Sequence, residues 1–410
     1  MLNRNFWLLL GNRVVTRIAY NLSTFTLLIW VFQLTGSNAA VSLWMVMFFI
    51  ASVSFSLVAG VAADIYDRRK IMILANLAWG ILVLGFIPAE KSLPLILGVT
   101  LLTQALDEFF KPSQDSSLPH LVMDEKLLSA NSIFSLAGYA SSFIGFFLSG
   151  VMLRFLGYRA PFIASSVLVL LGAIFALALP PLKNVYPSVT TEKFVRRVRV
   201  KILDQWNFLL HNRHVASTVA FMAVLVSGVS AAGALAPGFA EQVLRIDARD
   251  LSFVGVIPLA VGLLLGIFIL SRYGKLWPVW QSVLGFGLTL ILLASSPSIR
   301  VFLANHITTP QTFERLPAFS LLIAVLVFLL GLFASTVSVP VVTSLQRITP
   351  RKNLGRTFGS LGTLSAVLTT VLVLVFGTMA DFLSPALPVI LVGLAAILAA
   401  FWVRYRVVIK

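Results

Sequence analysis

The chain has 410 residues, of which 59% are hydrophobic and only 11% charged. Soluble domains carry roughly a quarter of their residues as charges, so this composition excludes a string of soluble domains and indicates a membrane class. The net charge of +16 does not signal nucleic acid, because the basic residues stand at the ends of apolar segments rather than in one patch, and the lack of cysteine excludes disulfides, thiolate metal sites and cysteine nucleophiles.

From Met1 to Arg13 a short apolar run, Phe6 to Leu10, sits between basic residues with no small-residue cleavage site after it. This reads as an uncleaved first span. A bilayer core of about 30 Å takes roughly 20 apolar residues in a helix. Stretches of that kind lie at 6–32, 42–63, 71–88, 94–112, 130–153, 160–179, 216–238, 250–271, 277–295, 316–341, 357–380 and 386–403. The runs are too long for barrel strands and lack a period of two, so an all-α membrane protein of twelve transmembrane helices is expected.

Orientation follows from Lys and Arg. With the N-terminus inside, the inner segments hold 22 of these residues and the outer loops 7, while Arg13 and Arg17 stay within the first span. That bias predicts both termini in the cytoplasm of a multi-pass inner or plasma membrane protein. The longest polar stretch follows the sixth span and divides the chain into a six-helix half at 1–181, a connector at 182–214 and a second six-helix half at 215–410. Within the connector, Lys193 to Leu210 mixes basic residues with Phe194, Val195, Val198, Val200, Ile202, Leu203 and Trp206. Two readings stand: an amphipathic helix on the anionic inner leaflet, or a basic linker obeying the positive-inside rule.

The loop after the second span reads Gly60, Val61, Ala62, Ala63, Asp64, Ile65, Tyr66, Asp67, Arg68, Arg69, Lys70. It resembles the G-x-x-x-D-R-x-G-R-R/K signature of the major facilitator superfamily. Gly60, Asp64, Arg68 and Arg69 match, whereas Ile65 stands for the usual Arg and Asp67 for the usual Gly. Further phrases are similar to those of the drug, macrolide and siderophore exporter branch. They are Leu34 to Ser37, Phe109 to Pro112, Leu118 to Val122, Leu128 to Asn131, Val339-Pro340, Leu345-Gln346 and Gly355 to Gly359. A similar fourth-span phrase occurs in lysophospholipid transporters. Departures are Gly145 to Gly150, where family antiporters have G-P-x-x-G-G, and Tyr20, where related exporters often have Asp. Ser271 to Lys275 is only a remnant of the signature.

The resemblance implies two pseudo-symmetric six-helix halves that rock to give alternating access. It implies a cytoplasmic gate at Gly60, Asp64, Asp67, Arg68, Arg69 and Lys70, where Gly60 permits a close helix approach and the acid and bases form a latch. It also implies that the first and fourth helices line the cavity. Charges inside lipid cost at least about 2.5–3.5 kcal/mol on insertion scales, so they need partners and often have functions. Arg13, Arg17 and Asn21 recur every four residues on one face of the first helix. Gln104, Asp107 and Glu108 lie near the inner end of the fourth at a comparable depth. Arg13 or Arg17 is therefore expected to pair with Asp107 or Glu108, either as a proton-coupling device or as a structural pair.

Hydroxyls of the second half, Ser227, Ser230, Ser335, Thr336 and Ser338, read as packing groups. Asp381 and Glu241 read as solvated helix caps. No P-loop is present, and His211 with His214 lacks a third metal ligand, so no cofactor and no metal are expected. The resulting expectation is a monomeric secondary transporter, not an enzyme. Its expected partners are a small-molecule or lipid-like substrate, protons and the lipid bilayer, and no nucleic acid. Efflux of a hydrophobic or amphipathic molecule in exchange for protons is the leading reading. The alternatives are a lysophospholipid carrier without proton coupling and a non-transporting sensor or scaffold.

Overall fold

In lipid every backbone N–H and C=O must find its partner within the chain, and this sequence satisfies them with helices. The computed structural model describes residues 3–182, 212–273, 278–307, 317–349 and 354–406, and no strand occurs among the described residues. The first six long helices are α1 (Arg4–Thr35), α2 (Asn38–Ile65), α3 (Arg68–Leu82), α4 (Leu93–Asp115), α5 (Leu127–Leu156) and α6 (Arg159–Leu177). The next six are α7 (Arg213–Ala234), α8 (Ile257–Tyr273), α9 (Val279–Ile307), α10 (Pro317–Ile348), α11 (Leu354–Phe382) and α12 (Ala386–Arg406). Twelve helices among the described residues are long and apolar enough to cross a membrane.

Their ends follow local chemistry. Asn3 caps α1 by accepting from the Phe6 N–H at 2.9 Å, and α1 stops at Gly36, whose φ of +65° suits a residue without a Cβ. Several expected limits move. The fourth helix does not stop at Pro112 but runs on to Asp115. The seventh stops at Ala234, and π turns at Phe239–Leu244 and Ser252–Val256 lead into α8. Pro237, which cannot donate to a preceding carbonyl, sits where α7 gives way.

Contacts divide the chain into two compact units: Met1–Gly36 with Leu43–Arg197, and Ser37–Ser42 with Val198–Lys410. Most of the 182–214 connector, including the amphipathic stretch at Lys193 to Leu210, lies outside the described residues.

In the first unit α1 is the most buried span. It packs on α5 and α6, and α5 approaches it at Gly145, where a Cβ would crowd the Ile18 carbonyl oxygen and the Asn21 Cβ. Apolar groups close both ends of this bundle. Phe6, Leu9, Met72, Phe110, Leu121 and Phe134 cluster at one end. Trp30, Tyr158, Phe162 and Phe86 gather at the other, with ring centroids 5.0–5.4 Å apart. Between these plugs α1 carries its polar face.

The second unit is joined differently. At Gly262 of α8 a Cβ would run into the Phe328 carbonyl oxygen of α10, and at Gly331 of α10 it would run into that of Leu259. The two helices therefore touch backbone to backbone. Its hydroxyls mostly bond their own helix: Ser335 and Thr336 donate to the Leu332 carbonyl at 2.9 and 3.0 Å. Ser227 is an exception, donating to the Ser365 carbonyl of α11 at 3.0 Å.

Also in this unit, the Asp381 carboxylate at the end of α11 caps the first turn of α2. It accepts from the Asn38 and Ala39 backbone N–H groups at 2.6 and 3.0 Å, and from the Ser37 hydroxyl at 2.5 Å. Asp381 is thus a cap, as expected of its position, but of a helix remote in sequence.

Candidate functional site

Residues three and four apart on a helix share a face, and α1 uses two such faces for polar groups. Asn12 and Thr16 turn towards α6. The Asn12 amide donates to the Gly172 carbonyl at 2.7 Å and accepts from the Gln114 amide at 2.6 Å. Arg13, Arg17 and Asn21 turn towards α4 and α5. Arg13 donates to Gln114 at 2.8 Å and to Asp115 at 2.9 Å, with its guanidinium 4.6 Å from the Phe134 ring centre. Arg17 donates through Nε to the Ser142 hydroxyl at 3.3 Å, and Asn21 donates to the same hydroxyl at 3.2 Å. Ser142 in turn donates to the Gly138 carbonyl at 3.0 Å.

On α4, Asp107 pairs with Lys111 at 2.5 Å, one turn on. The carboxylate is only 11% exposed, the ammonium 40%. Tyr20 donates to Gln104 at 3.1 Å, and its ring lies 5.7 Å from the Arg17 guanidinium and 5.2 Å from the Lys111 ammonium. Glu108 lies beside Ser52 of α2. A cavity of about 40 Å³ opens among Arg13, Arg17, Tyr20, Asn76, Asp107 and Lys111. That volume holds a few water molecules or one small charged group.

The expected partners are therefore exchanged. Arg13 and Arg17 were expected to meet Asp107 or Glu108; instead Arg13 meets Asp115, Arg17 meets Ser142, and Asp107 meets Lys111. The cause is the extra turn of α4 beyond Pro112. The start of α1 lies level with Leu121, whose carbonyl accepts from the Asn3 amide at 2.6 Å, so Arg13 comes level with Gln114 and Asp115. Lys111, Gln114, Asp115, Tyr20 and Ser142 were absent from the sequence-derived set. One signal for two of them was present: Lys111 and Asp115 follow Asp107 at i+4 and i+8 on one face.

Residues of the signature loop hold helix ends within the first unit. Asp67 caps α3, accepting from the Arg69 and Leu182 backbone N–H groups at 3.0 Å each. Its carboxylate explains what an Asp does where the signature has Gly. Arg68 is buried and donates to the carbonyls of Ala63 at 3.2 Å and Ser116 at 3.3 Å, beside the His120 ring. Arg69 donates to the Ala176 and Leu177 carbonyls at 3.3 and 2.6 Å, satisfying the end of α6. Lys70 is exposed. A Cβ built at Gly60 would meet nothing within 4 Å among the described residues. The Asp64 side chain and His211 lie outside what is described. No cluster of three or more metal-ligating residues occurs among the described residues.

Twelve long apolar helices, the first and fourth of them carrying paired charges, define a multi-pass membrane protein. Residues 9–309 match the model of the Major Facilitator Superfamily, and the chain belongs to that family. Solved structures share the fold at low identity. A nucleoside transporter, NupG, aligns with a TM-score of 0.66 at 14% identity over 97% of this chain and 98% of its own. A POT family transporter in complex with a thioalcohol conjugated peptide gives 0.69 at 14%, over 98% and 95%. A bacterial homolog of the human lysosomal transporter Spinster gives 0.68 at 12%, over 98% and 94%. No curated protein matches the chain significantly in sequence.

Proposed function

We propose that this secondary transporter exports a small hydrophobic or amphipathic molecule in exchange for protons, by alternating access, with Asp107 as the proton-exchanging carboxylate. The observation that carries this reading is the Asp107–Lys111 pair on the wall of a polar cavity inside a helical bundle. Protonating Asp107 removes the charge that holds Lys111, and the cavity becomes more cationic. Proton occupancy thereby changes what the cavity binds. The proposed gate at Gly60, Asp64, Asp67, Arg68, Arg69 and Lys70 then acts through helix ends, since Arg68 and Arg69 tie those of α2, α4 and α6.

A second reading, a lipid-like carrier without proton coupling, draws on a different observation. Asp107 and Asp115 are both committed to cations, whereas Arg17 has no carboxylate partner among the described residues. Purified protein in vesicles, with and without an imposed pH gradient, separates the two. The exchange reading expects substrate flux to follow the gradient and to lose that dependence in Asp107→Asn. Unchanged pH-dependent flux in both Asp107→Asn and Glu108→Gln would overturn the coupling role.

A further inference from the structure

Counting charges on the cavity wall leaves a remainder. Arg13, Arg17 and Lys111 face it, against Asp107. Lys111 is held by Asp107 and Arg13 by Asp115, which is 56% exposed at the rim. Arg17 is bonded only through Nε, to the Ser142 hydroxyl, and rests near the Tyr20 ring. Its two terminal amino groups have no partner among the described residues. They form a planar fork on the wall of a space too small for more than one compact group.

We propose that Arg17 is the binding site for an anionic group, a carboxylate or phosphate monoester, at one end of an amphipathic substrate. A guanidinium fork matches both oxyanions bidentately. Ser142 fixes the plane of the fork by holding Nε, and Ser142 is itself fixed by Asn21 and Gly138. Tyr20 supplies a ring face beneath the cation without adding a competing negative charge, as an acid at that position would. The cavity of about 40 Å³ takes the charged end only, so the apolar remainder of the substrate lies outside it. This inference rests on the lipid-like reading for its cargo, and it deepens that reading by naming the recognised charge. The same oxyanion could belong to a lipid headgroup or to a free organic acid.

Equilibrium binding to the full chain in discs of zwitterionic lipid tests it. The probes are dodecyl phosphate and dodecanoate, with dodecyl maltoside as the uncharged control of equal tail, and hexanoate and inorganic phosphate as anions without a long tail. The wild type is expected to bind the two anionic amphiphiles about tenfold or more tightly than the control. Arg17→Gln is expected to erase that preference while leaving control binding and the melting temperature in place. Ser142→Ala, which keeps the charge and frees the fork, is expected to weaken the preference several-fold, which guards against misfolding of the Arg17 variant. Binding of long-tailed probes alone assigns a lipid source, and equal binding of hexanoate or phosphate assigns a free anion. No preference in the wild type, or full preference in Arg17→Gln, overturns the inference. Because binding is read without flux, Arg17-dependent binding with no transport sinks the carrier reading alone. Flux of the anionic amphiphiles that is indifferent to Arg17 sinks this inference alone.

Discussion

The two units of six helices meet the same demand, filling a bundle interior in lipid, by opposite means. In the first, side chains reach from helix to helix: Asn12 to Gly172, Gln114 to Asn12, Arg13 to Asp115, Tyr20 to Gln104, Arg17 to Ser142. In the second, α8 and α10 meet at glycines, and most hydroxyls bond their own helix. Polar contacts can trade partners, since each group offers several donors or acceptors. Backbone contact at a glycine has no such alternatives, because any side chain there clashes with a carbonyl. The difference assigns adaptable chemistry to the first unit and shape to the second.

That contrast can be broken from either side. The largest effect is expected at the α8–α10 contact: Gly262→Val should give no folded protein by size-exclusion chromatography, and Gly262→Ala should lose about 1–3 kcal/mol in thermal unfolding. Full stability in both would remove the backbone contact as the organising feature of the second unit. Next comes the polar interior. Asp107→Asn strands the half-exposed Lys111 and should cost about 1–2 kcal/mol, between the values for exposed and buried pairs. Adding Lys111→Met should recover most of it, and additive losses in a double-mutant cycle would show that the two do not act as a pair. Smaller again is Asp381→Ala, which removes the α2 cap and should cost about 1 kcal/mol. It probes a polar tie between helices of the second unit, as the Ser227–Ser365 bond also is, and an unchanged melting temperature would sharpen the contrast with the first unit. The smallest is Gly60→Ala, expected within about 0.5 kcal/mol of wild type because its surroundings are open. A large loss would restore the close approach that the signature suggests.

The spans were legible because lipid imposes a length and a hydropathy that few residues can disguise. Their ends were less so. Pro112 reads as a stop, yet a proline late in a helix lacks only one donor, and packing of Phe110 and Leu121 against α1 carries α4 onward. That single turn explains why the polar residues of the first and fourth helices pair differently from the way their spacing suggests. Partner choice depends on register between helices, which one sequence does not encode locally. Lys111 escaped notice because it counts equally well as an inner-loop charge under the positive-inside rule. Asp67 was visible as a departure from the signature, but its capping role needed the position of Leu182, more than a hundred residues away.

Pro112 has one further consequence. It stands between the residues that hold Lys111 and those that hold Arg13: Asp107 comes before it, Gln114 and Asp115 after. Having no N–H, it leaves the Glu108 carbonyl without its intrahelical donor, and the helix is softest at that turn. The two ion pairs are thus mounted on separate segments of one rod with a joint between them. A bend of a few degrees at the joint alters the spacing of the pairs while leaving each intact, so the width of the cavity can be set by flexing α4 rather than by breaking a bond.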